Sequence, residues 1–272
     1  MIAELDNIAT DTTPIAKSID ELLASVSASR LNMFHSCRLK FYFHYVLGLK
    51  RAKTGAQHIG STVHYVLKLW NIARWRKQII PDGWLKSQYE TYWTEQPDGK
   101  ITWKQNEEGK SKVVAWNLLE TYFKQSPIPP NESAEGVEVS IEAELGSTKL
   151  VGIIDLVRSN GRIVEYKTTG QTPNPEKAEH MHELQCSCYS IMYRACTGHK
   201  ETGIELHHLV KIKTPKLVVS RIPPMSLNQE KRLYQIVDSY LEGVARQDWI
   251  PSPNPMTCAC CEFFNECRKW CG

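Results

Sequence analysis

The stretch GIIDLVRSNGRIVEYKTTG, residues 152–170, decides the fold of this 272-residue chain. Two runs with the alternation of β-strands flank a Ser-Asn-Gly turn, which predicts a β-hairpin. Glu165 and Lys167 project from the same face of the second strand, because side chains alternate across a strand. Asp155 lies across the hairpin, within reach of the same point. These charged residues are poor for packing, so they indicate that the hairpin carries chemistry.

Two carboxylates that converge on one point repel each other unless a cation lies between them. Their hard oxygen atoms suit Mg²⁺ or Mn²⁺. A lysine beside the metal can orient or deprotonate a water molecule and stabilise charge on a phosphate. The competing interpretation is a salt bridge on an exposed sheet face, since D-x(9)-E-x-K also occurs by chance. Asp155 lies within VGIIDLV, where burial makes an unpaired charge expensive, and this favours the metal site.

The sequence around this hairpin predicts an α/β fold. An apolar stripe at helical spacing begins near Ala56, and the chain is predicted to be mostly helical to about residue 125. After SPIPPNES, the segment GVEVSIEAEL and the two hairpin strands form a predicted three-stranded meander. A helix over residues 183–197, two more strands and a long helix opened by a Ser226–Gln229 capping box complete the core.

The domain boundaries follow from the same patterns. Residues 1–25 show no periodicity and are predicted to be disordered, whereas residues 26–272 are predicted to form a single domain. That domain divides into a helical portion, a core and a cysteine-rich tail, at about 56–128, about 134–246 and 251–272.

Composition narrows the class of protein. A net charge of +3 is mild and does not by itself imply nucleic acid. The N-terminus carries acidic residues where a signal peptide needs a basic start, and no run approaches the roughly 18 apolar residues of a membrane span. We therefore expect a soluble, cytoplasmic protein without a membrane partner. Nine cysteines in a reducing compartment favour ligands or buried thiols over a disulfide framework.

The cysteine-rich tail reads TCACCEFFNECRKWCG. Its C-x2-C-x5-C pattern is formed by Cys258, Cys261 and Cys267. Three thiolates do not complete a tetrahedral set, and Cys37 is the natural candidate for the fourth ligand. Cys260 or Cys271 could replace a neighbour. Spacing alone does not decide the metal, so zinc with four cysteine ligands remains an alternative to iron.

The sequence resembles the PD-(D/E)XK nucleases, in particular the RecB-type branch that carries an iron–sulfur cluster. That branch includes the AddB nuclease domain and the CRISPR-adaptation nucleases. The motifs that carry the resemblance are, in chain order, SASRLNMFHSCRLKFYFHYVLGL, GSTVHYVL, GIIDLV, EYKTTG and LQCSCYSIMY. Each motif alone is weak, whereas their order and spacing are typical of the branch. The resemblance implies a restriction-endonuclease-like core, in which helices flank a central mixed β-sheet, with a helical insert.

The resemblance also implies a role for individual residues. The catalytic residues it implies are Asp155, Glu165 and Lys167. The ligands of Mg²⁺ or Mn²⁺ would be His64, Asp155, Glu165 and the backbone carbonyl of Tyr166. Two residues one helical turn apart would contact the DNA strand near the scissile phosphate, namely Gln185 and Tyr189. A 4Fe–4S cluster that ties the chain ends together would be bound by Cys37, Cys258, Cys261 and Cys267.

These residues predict a metal-dependent DNA exonuclease that acts on single-stranded DNA or DNA ends in recombination, repair or phage DNA processing. The alternative is a catalytically silent nucleic-acid-binding or scaffolding subunit of a helicase–nuclease or CRISPR-adaptation complex. The chain has no Walker A motif, so unwinding would need a helicase or recombination partner. The basic and aromatic residues of 38–53 would contact phosphates and unpaired bases, unless the aromatic side chains fill a core instead.

Overall fold

A mixed β-sheet lies at the centre of the fold. The computed structural model describes residues 16–96 and 99–271; within them six strands form this sheet and two more pair separately. The strands, in chain order, are β1 (Ser25–Val26), β2 (Lys53–Thr54), β3 (Ile101–Thr102), β4 (Ala134–Leu145), β5 (Thr148–Arg158), β6 (Ile163–Thr169), β7 (Ile204–Val210) and β8 (Lys216–Ile222).

Helices cover both faces of the sheet. They are α1 (Ile19–Ala24), α2 (Ala28–Ser36), α3 (Arg38–Phe41), α4 (Gly55–Trp75), α5 (Trp84–Glu95), α6 (Glu108–Gln125), α7 (Pro175–Met181), α8 (Glu183–Thr197), α9 (Leu227–Ala245), α10 (Pro255–Cys258) and α11 (Phe264–Lys269). A π-helical turn, Tyr42–Val46, follows α3 directly. None of the helices in the described residues is both long and apolar enough to cross a bilayer.

The order of the strands is that of an α/β fold with a mixed sheet. β4, β5 and β6 form an antiparallel meander, as predicted. β6 pairs in parallel with β7 through the α7–α8 connection, and β7 pairs in antiparallel fashion with β8. β1 joins β5 in parallel. The predicted fold class, a central mixed sheet flanked by helices, is therefore confirmed.

Neighbouring side chains of one strand enter two separate cores. Ile163 belongs to an apolar cluster that packs α1, α2, α8 and α9 against one face of the sheet. Val164 belongs to a second cluster, which packs α4, α5 and α6 against the other face. This is the alternation expected of a strand covered on both sides. The helical portion is thus one layer of the fold, and its α4 faces the meander.

The meander opens into a fork. β5 pairs with β4 along nearly its whole length, but with β6 only at Leu156–Val164 and Val157–Ile163. Beyond those pairs the two strands diverge, and β1 takes up the same edge of β5 at Leu150. The fork therefore leaves a gap in the middle of the sheet, and Asp155 and Glu165 lie at its closed end.

The structure differs from the prediction of a disordered N-terminus at residues 19–25, where a helix and the start of a strand are formed. Ser18 opens α1 with a capping box, and Leu22 is fully buried. The Leu22 carbonyl accepts a hydrogen bond from the Tyr240 hydroxyl at 3.0 Å. A six-residue helix is too short to show a helical repeat, so tertiary contacts rather than local pattern order it. The rest of that prediction, residues 1–15, lies outside the described residues.

Candidate active site

The fork brings together the acidic pair and its lysine. Asp155 and Glu165 are 8% and 5% exposed. Lys167 Nζ donates to Glu165 Oε1 at 2.7 Å, and the backbone N–H of Tyr166 donates to Asp155 Oδ2 at 2.8 Å. That N–H is free to do so because β5 and β6 have already separated. Because both carboxylates are buried, the competing interpretation of a salt bridge on an exposed sheet face does not fit this pair.

His64 reaches the same pair from the helical layer. It lies on α4, and its Nδ1 is 3.3 Å from Asp155 Oδ1. Its ring packs edge-on against the ring of Tyr166. The predicted combination of His64, Asp155 and Glu165 is therefore brought together in space by α4, β5 and β6.

Charges in the site are strongly coupled. Burial and the adjacent Asp155 carboxylate raise the pKa of Glu165, against the lowering effect of Lys167. Burial alone would raise the pKa of Asp155, but the charge and hydrogen bond of His64 and the bond from Tyr166 lower it overall. Burial would lower the pKa of His64, yet the Asp155 carboxylate outweighs it and raises the pKa to about 9. At neutral pH His64 is therefore an imidazolium that compensates Asp155.

Gln185 and Tyr189, on α8, both form hydrogen bonds with Glu165, and Gln185 also bonds Lys167. Gln185 Nε2 donates to Glu165 Oε1 at 2.9 Å, and its Oε1 accepts from Lys167 Nζ at 2.7 Å. The Tyr189 hydroxyl donates to Glu165 Oε2 at 2.9 Å. These contacts give both residues a role in orienting Glu165. Their contact with DNA stays a prediction.

The Tyr166 side chain holds β6 in place from the opposite face of the sheet. This side chain points to the opposite face from Glu165, where its hydroxyl accepts a hydrogen bond from Asn71 Nδ2 at 2.8 Å. The Tyr122 hydroxyl lies 3.4 Å from the Tyr166 hydroxyl and 3.0 Å from His207 Nδ1. This buried network fixes the backbone of β6 at Tyr166, whose N–H bonds Asp155. The role of the Tyr166 carbonyl as a metal ligand stays a prediction.

Sequence reasoning missed a third carboxylate, that of Glu138. The pairs Val137–Leu156 and Val139–Ile154 place it opposite Asp155 on β4, with a φ of 52°. Burial and the Asp155 charge raise the pKa of Glu138. The alternating GVEVSIEAEL made its three inner glutamates look alike. Counting back from the two-residue turn between Leu145 and Thr148 would have placed Glu138 opposite Asp155.

The donor set fits a hard divalent cation. Mg²⁺ is usually held by one or two carboxylates, with water and substrate phosphates as its other ligands. The fork supplies two buried carboxylates, and His64 and Lys167 carry compensating charge beside them. Across residues 16–96 and 99–271, no three His, Cys, Asp or Glu side chains are already drawn together as metal ligands. The ligand groups would therefore have to close round an ion.

The four cysteines predicted as cluster ligands share one neighbourhood. Burial and the nearby Cys37, Cys261 and Cys258 thiols raise the pKa of Cys267. Cys37, Cys261 and Cys267 pack against one small apolar cluster, formed by Leu39, Phe43 and Phe263. The other two thiols of the tail, Cys260 and Cys271, are exposed.

The basic and aromatic stretch 38–53 packs against the C-terminal segment of the chain. Phe41 is fully buried and Phe43 is 4% exposed, so they fill cores, as the competing interpretation held. Three of its basic side chains pair with C-terminal acids, in the ion pairs Arg38–Asp248, Lys40–Glu262 and Arg51–Glu266. The pairs of Lys40 and Arg51 join the segment after Cys37 to the cysteine-rich tail.

Solved structures resemble this chain at low sequence identity. One is described as a "putative exonuclease" from Eubacterium rectale; it shares 14% identity and a TM-score of 0.60 over 90% of this chain and 89% of that one. Another is LHK-Exo in complex with dAMP, with 10% identity and a TM-score of 0.32 over 79% of this chain and 93% of that one. No curated protein matches the chain.

A family model covers most of the sequence. The PD-(D/E)XK nuclease superfamily matches residues 25–268, which include all five motifs that carry the resemblance. The match is to the superfamily as a whole, so the branch with an iron–sulfur cluster stays a prediction. Motif order, the forked meander, and the buried Asp155 and Glu165 with Lys167 beside them agree with this match. The chain belongs to the PD-(D/E)XK nuclease superfamily.

Proposed function

We propose that this protein is a metal-dependent DNA exonuclease of the RecB-type branch, acting on single-stranded DNA or DNA ends in recombination, repair or phage DNA processing. The observation that carries the proposal is the buried pair of Asp155 and Glu165, held beside Lys167 at the fork. The fold likeness to a structure described as an exonuclease supports the same activity. Any unwinding would come from a helicase or recombination partner.

Each residue at the fork has a part in hydrolysis. Asp155, Glu165, His64 and the Tyr166 carbonyl would hold Mg²⁺ or Mn²⁺, which when bound polarises a phosphoryl oxygen and acidifies a water ligand. Lys167 stands where it can orient the attacking water and offset charge on the phosphate. Asp155 and Glu165 lie at the closed end of a gap in the sheet, so the phosphate would enter from the open end.

We further propose that Cys37, Cys258, Cys261 and Cys267 bind a 4Fe–4S cluster. Four thiolates are the ligand set of such a cluster, and the four thiols share one neighbourhood here. Zinc would take the same four ligands. Either group would fasten the start of the domain to its end, where three ion pairs already join them.

Product mapping tests the proposed activity. End-labelled single-stranded and duplex DNA are incubated with the protein and Mn²⁺, and the products are resolved by length. We expect mononucleotides or short fragments released from an end, cleavage that EDTA stops, and recovery on adding Mg²⁺ or Mn²⁺. A circular single strand, which has no ends, is incubated in parallel. Its cleavage would contradict the exonuclease assignment.

Tyr189→Phe is expected to lower kcat about ten- to a hundredfold, in line with the ~1.5–3 kcal/mol of a hydrogen bond to a charged group. The change removes only the hydroxyl that donates to Glu165 Oε2. Tyr193→Phe is the matched control, because Tyr193 lies one turn further along α8 and also donates to a carboxylate, that of the exposed Glu135, at 3.1 Å. Equal rates for the two variants would contradict the positioning role.

The raised pKa of His64 predicts a steep dependence of metal affinity on pH. A protonated imidazole cannot bind a metal. Because the pKa of His64 is about 9, a proton competes with the metal for this side chain at lower pH. Affinity for Mn²⁺, followed by electron paramagnetic resonance between about pH 6.5 and 8.5, should rise by about tenfold per pH unit. His64→Asn should flatten this slope. A flat profile for the unaltered protein would exclude His64 as a ligand.

A further inference from the structure

A cavity of about 290 Å³ opens directly beside the acidic pair's lysine. It lies between the first half of α2 and the junction of α7 with α8, and Lys167 and Gln185 form the wall that it shares with the fork. Of the residues that line the cavity, only Lys167 and Gln185 have a part in the hydrolytic roles described above. The remainder of the cavity, which reaches Ser29 and Asn32 on α2, has no part in them.

The lining of the cavity combines apolar and polar groups. Met181 and Leu184 supply apolar surface from α7 and α8. Asn32 is exposed, and its amide has no hydrogen-bond partner among the described residues, so both its donor and its acceptor are available to a ligand. His182 adds an imidazole, whose pKa is lowered by burial and by Lys167, so that it is neutral and can donate and accept. None of these side chains is acidic.

This chemistry matches a single nucleobase. Apolar side chains pack on the face of a base, and amide and imidazole groups pair with its edge. The cavity is at the small end of the ~300–1,000 Å³ range for ligand sites, which suits one nucleotide and not a duplex. Lys167, in the wall shared with the fork, carries the positive charge that a neighbouring phosphate needs.

We propose that this cavity binds the unpaired nucleobase next to the scissile phosphate, so that cleavage requires that nucleotide to be single-stranded. The inference rests on the proposed DNA hydrolysis at Asp155 and Glu165, and it names the substrate more narrowly. A base that is still paired in a duplex cannot enter, because the cavity admits one nucleotide and its polar groups take the place of the pairing partner.

Filling the cavity tests the proposal. Asn32→Phe places a large side chain in it from an exposed helical position, without touching the carboxylates. Asn117→Phe is the matched control, because Asn117 is exposed on α6 in the other layer. We expect Asn32→Phe to lower kcat/KM on single-stranded DNA about tenfold or more, as for loss of one group from a specificity pocket. Asn117→Phe should cleave like the unaltered protein.

An abasic nucleotide separates loss of the base contact from general damage. Oligonucleotides carry the abasic site on the 5′ or the 3′ side of the cleaved linkage. In one of these two positions, the abasic site should lower cleavage by the unaltered protein about as much as Asn32→Phe lowers cleavage of normal DNA. The Asn32→Phe variant should cleave that abasic oligonucleotide and normal DNA at the same rate. Additive losses, or an unaltered protein indifferent to both abasic substrates, would overturn the proposal. Absence of any cleavage by the unaltered protein would instead overturn the proposed function.

A binding measurement supplies a readout without catalysis. In an Asp155→Asn background, 2-aminopurine next to the scissile linkage should change its fluorescence on binding when unpaired, and not when paired in a duplex. The added change Asn32→Phe should remove that signal. An unchanged signal in the double variant would show that the base lies elsewhere.

Discussion

Asp155→Asn is expected to reduce metal-dependent DNA cleavage by about 10³-fold or more, comparable to the loss of a group that stabilises transition-state charge. The amide keeps an oxygen that can accept the Tyr166 N–H but removes the charge that would attract a cation and that now pairs with His64. The fold should survive, because the site's shape is retained. The measurement is release of labelled nucleotides from single-stranded DNA, with melting temperature as the check on folding.

A matched substitution controls for the chemistry of this change. Asp248→Asn also removes a carboxylate charge that is paired with a basic side chain, that of Arg38. This ion pair lies between α3 and the C-terminal segment, away from the fork. It should leave cleavage within about twofold of the unaltered protein, since surface ion pairs contribute only ~0–1 kcal/mol. Full activity of Asp155→Asn, in a preparation free of contaminating nuclease, would contradict the assignment of the active site.

Lys167→Ala should also abolish cleavage, for a different reason. Lys167 Nζ bonds both Glu165 and Gln185, so its loss removes a cation from beside the proposed metal site. Glu165 keeps the donors from Gln185 and Tyr189, which limits the cost to folding. Recovery of activity by added Mn²⁺ alone would show that Lys167 serves to hold Glu165 and not to act on the phosphate.

Local signals in the sequence were sufficient for most elements of the fold. The predicted helix over 183–197 coincides with α8, and the Ser226–Gln229 capping box opens α9 as expected. Both depend on contacts within a few residues. The meander was also predictable, because a tight turn and alternating polarity specify which strand pairs with which.

Features that depend on distant parts of the chain were not predictable in this way. The fork exists because β6 leaves β5 after two residue pairs to continue along β7. No pattern in the hairpin itself reveals where that separation begins. The hydrogen bonds of Gln185 and Tyr189 to Glu165 depend on how α8 packs on the sheet, so the sequence indicated these two residues only through the resemblance to a family.

Removing one cluster ligand should disturb both ends of the domain together. Anaerobically purified protein should be brown, with broad absorbance near about 400 nm, as expected for iron bound by thiolates. Cys37→Ser should bleach this colour and lower the melting temperature by more than about 5 °C, since bound metal contributes folding free energy. The reason is structural: Cys37 begins the segment whose basic side chains pair with the tail.

Cys260→Ser is the matched control for the cluster, because Cys260 lies in the same tail but its thiol is exposed and donates to the backbone carbonyls of Met256 and Thr257 in α10. It should keep both colour and melting temperature. A colourless protein with stoichiometric zinc would overturn the iron assignment, yet the four-cysteine site would stand. If Cys37→Ser kept full colour while Cys260→Ser or Cys271→Ser lost it, the ligand set would lie wholly within the tail. The ion pairs of Lys40 and Arg51 with the tail would then have to hold the chain ends together without help from a metal.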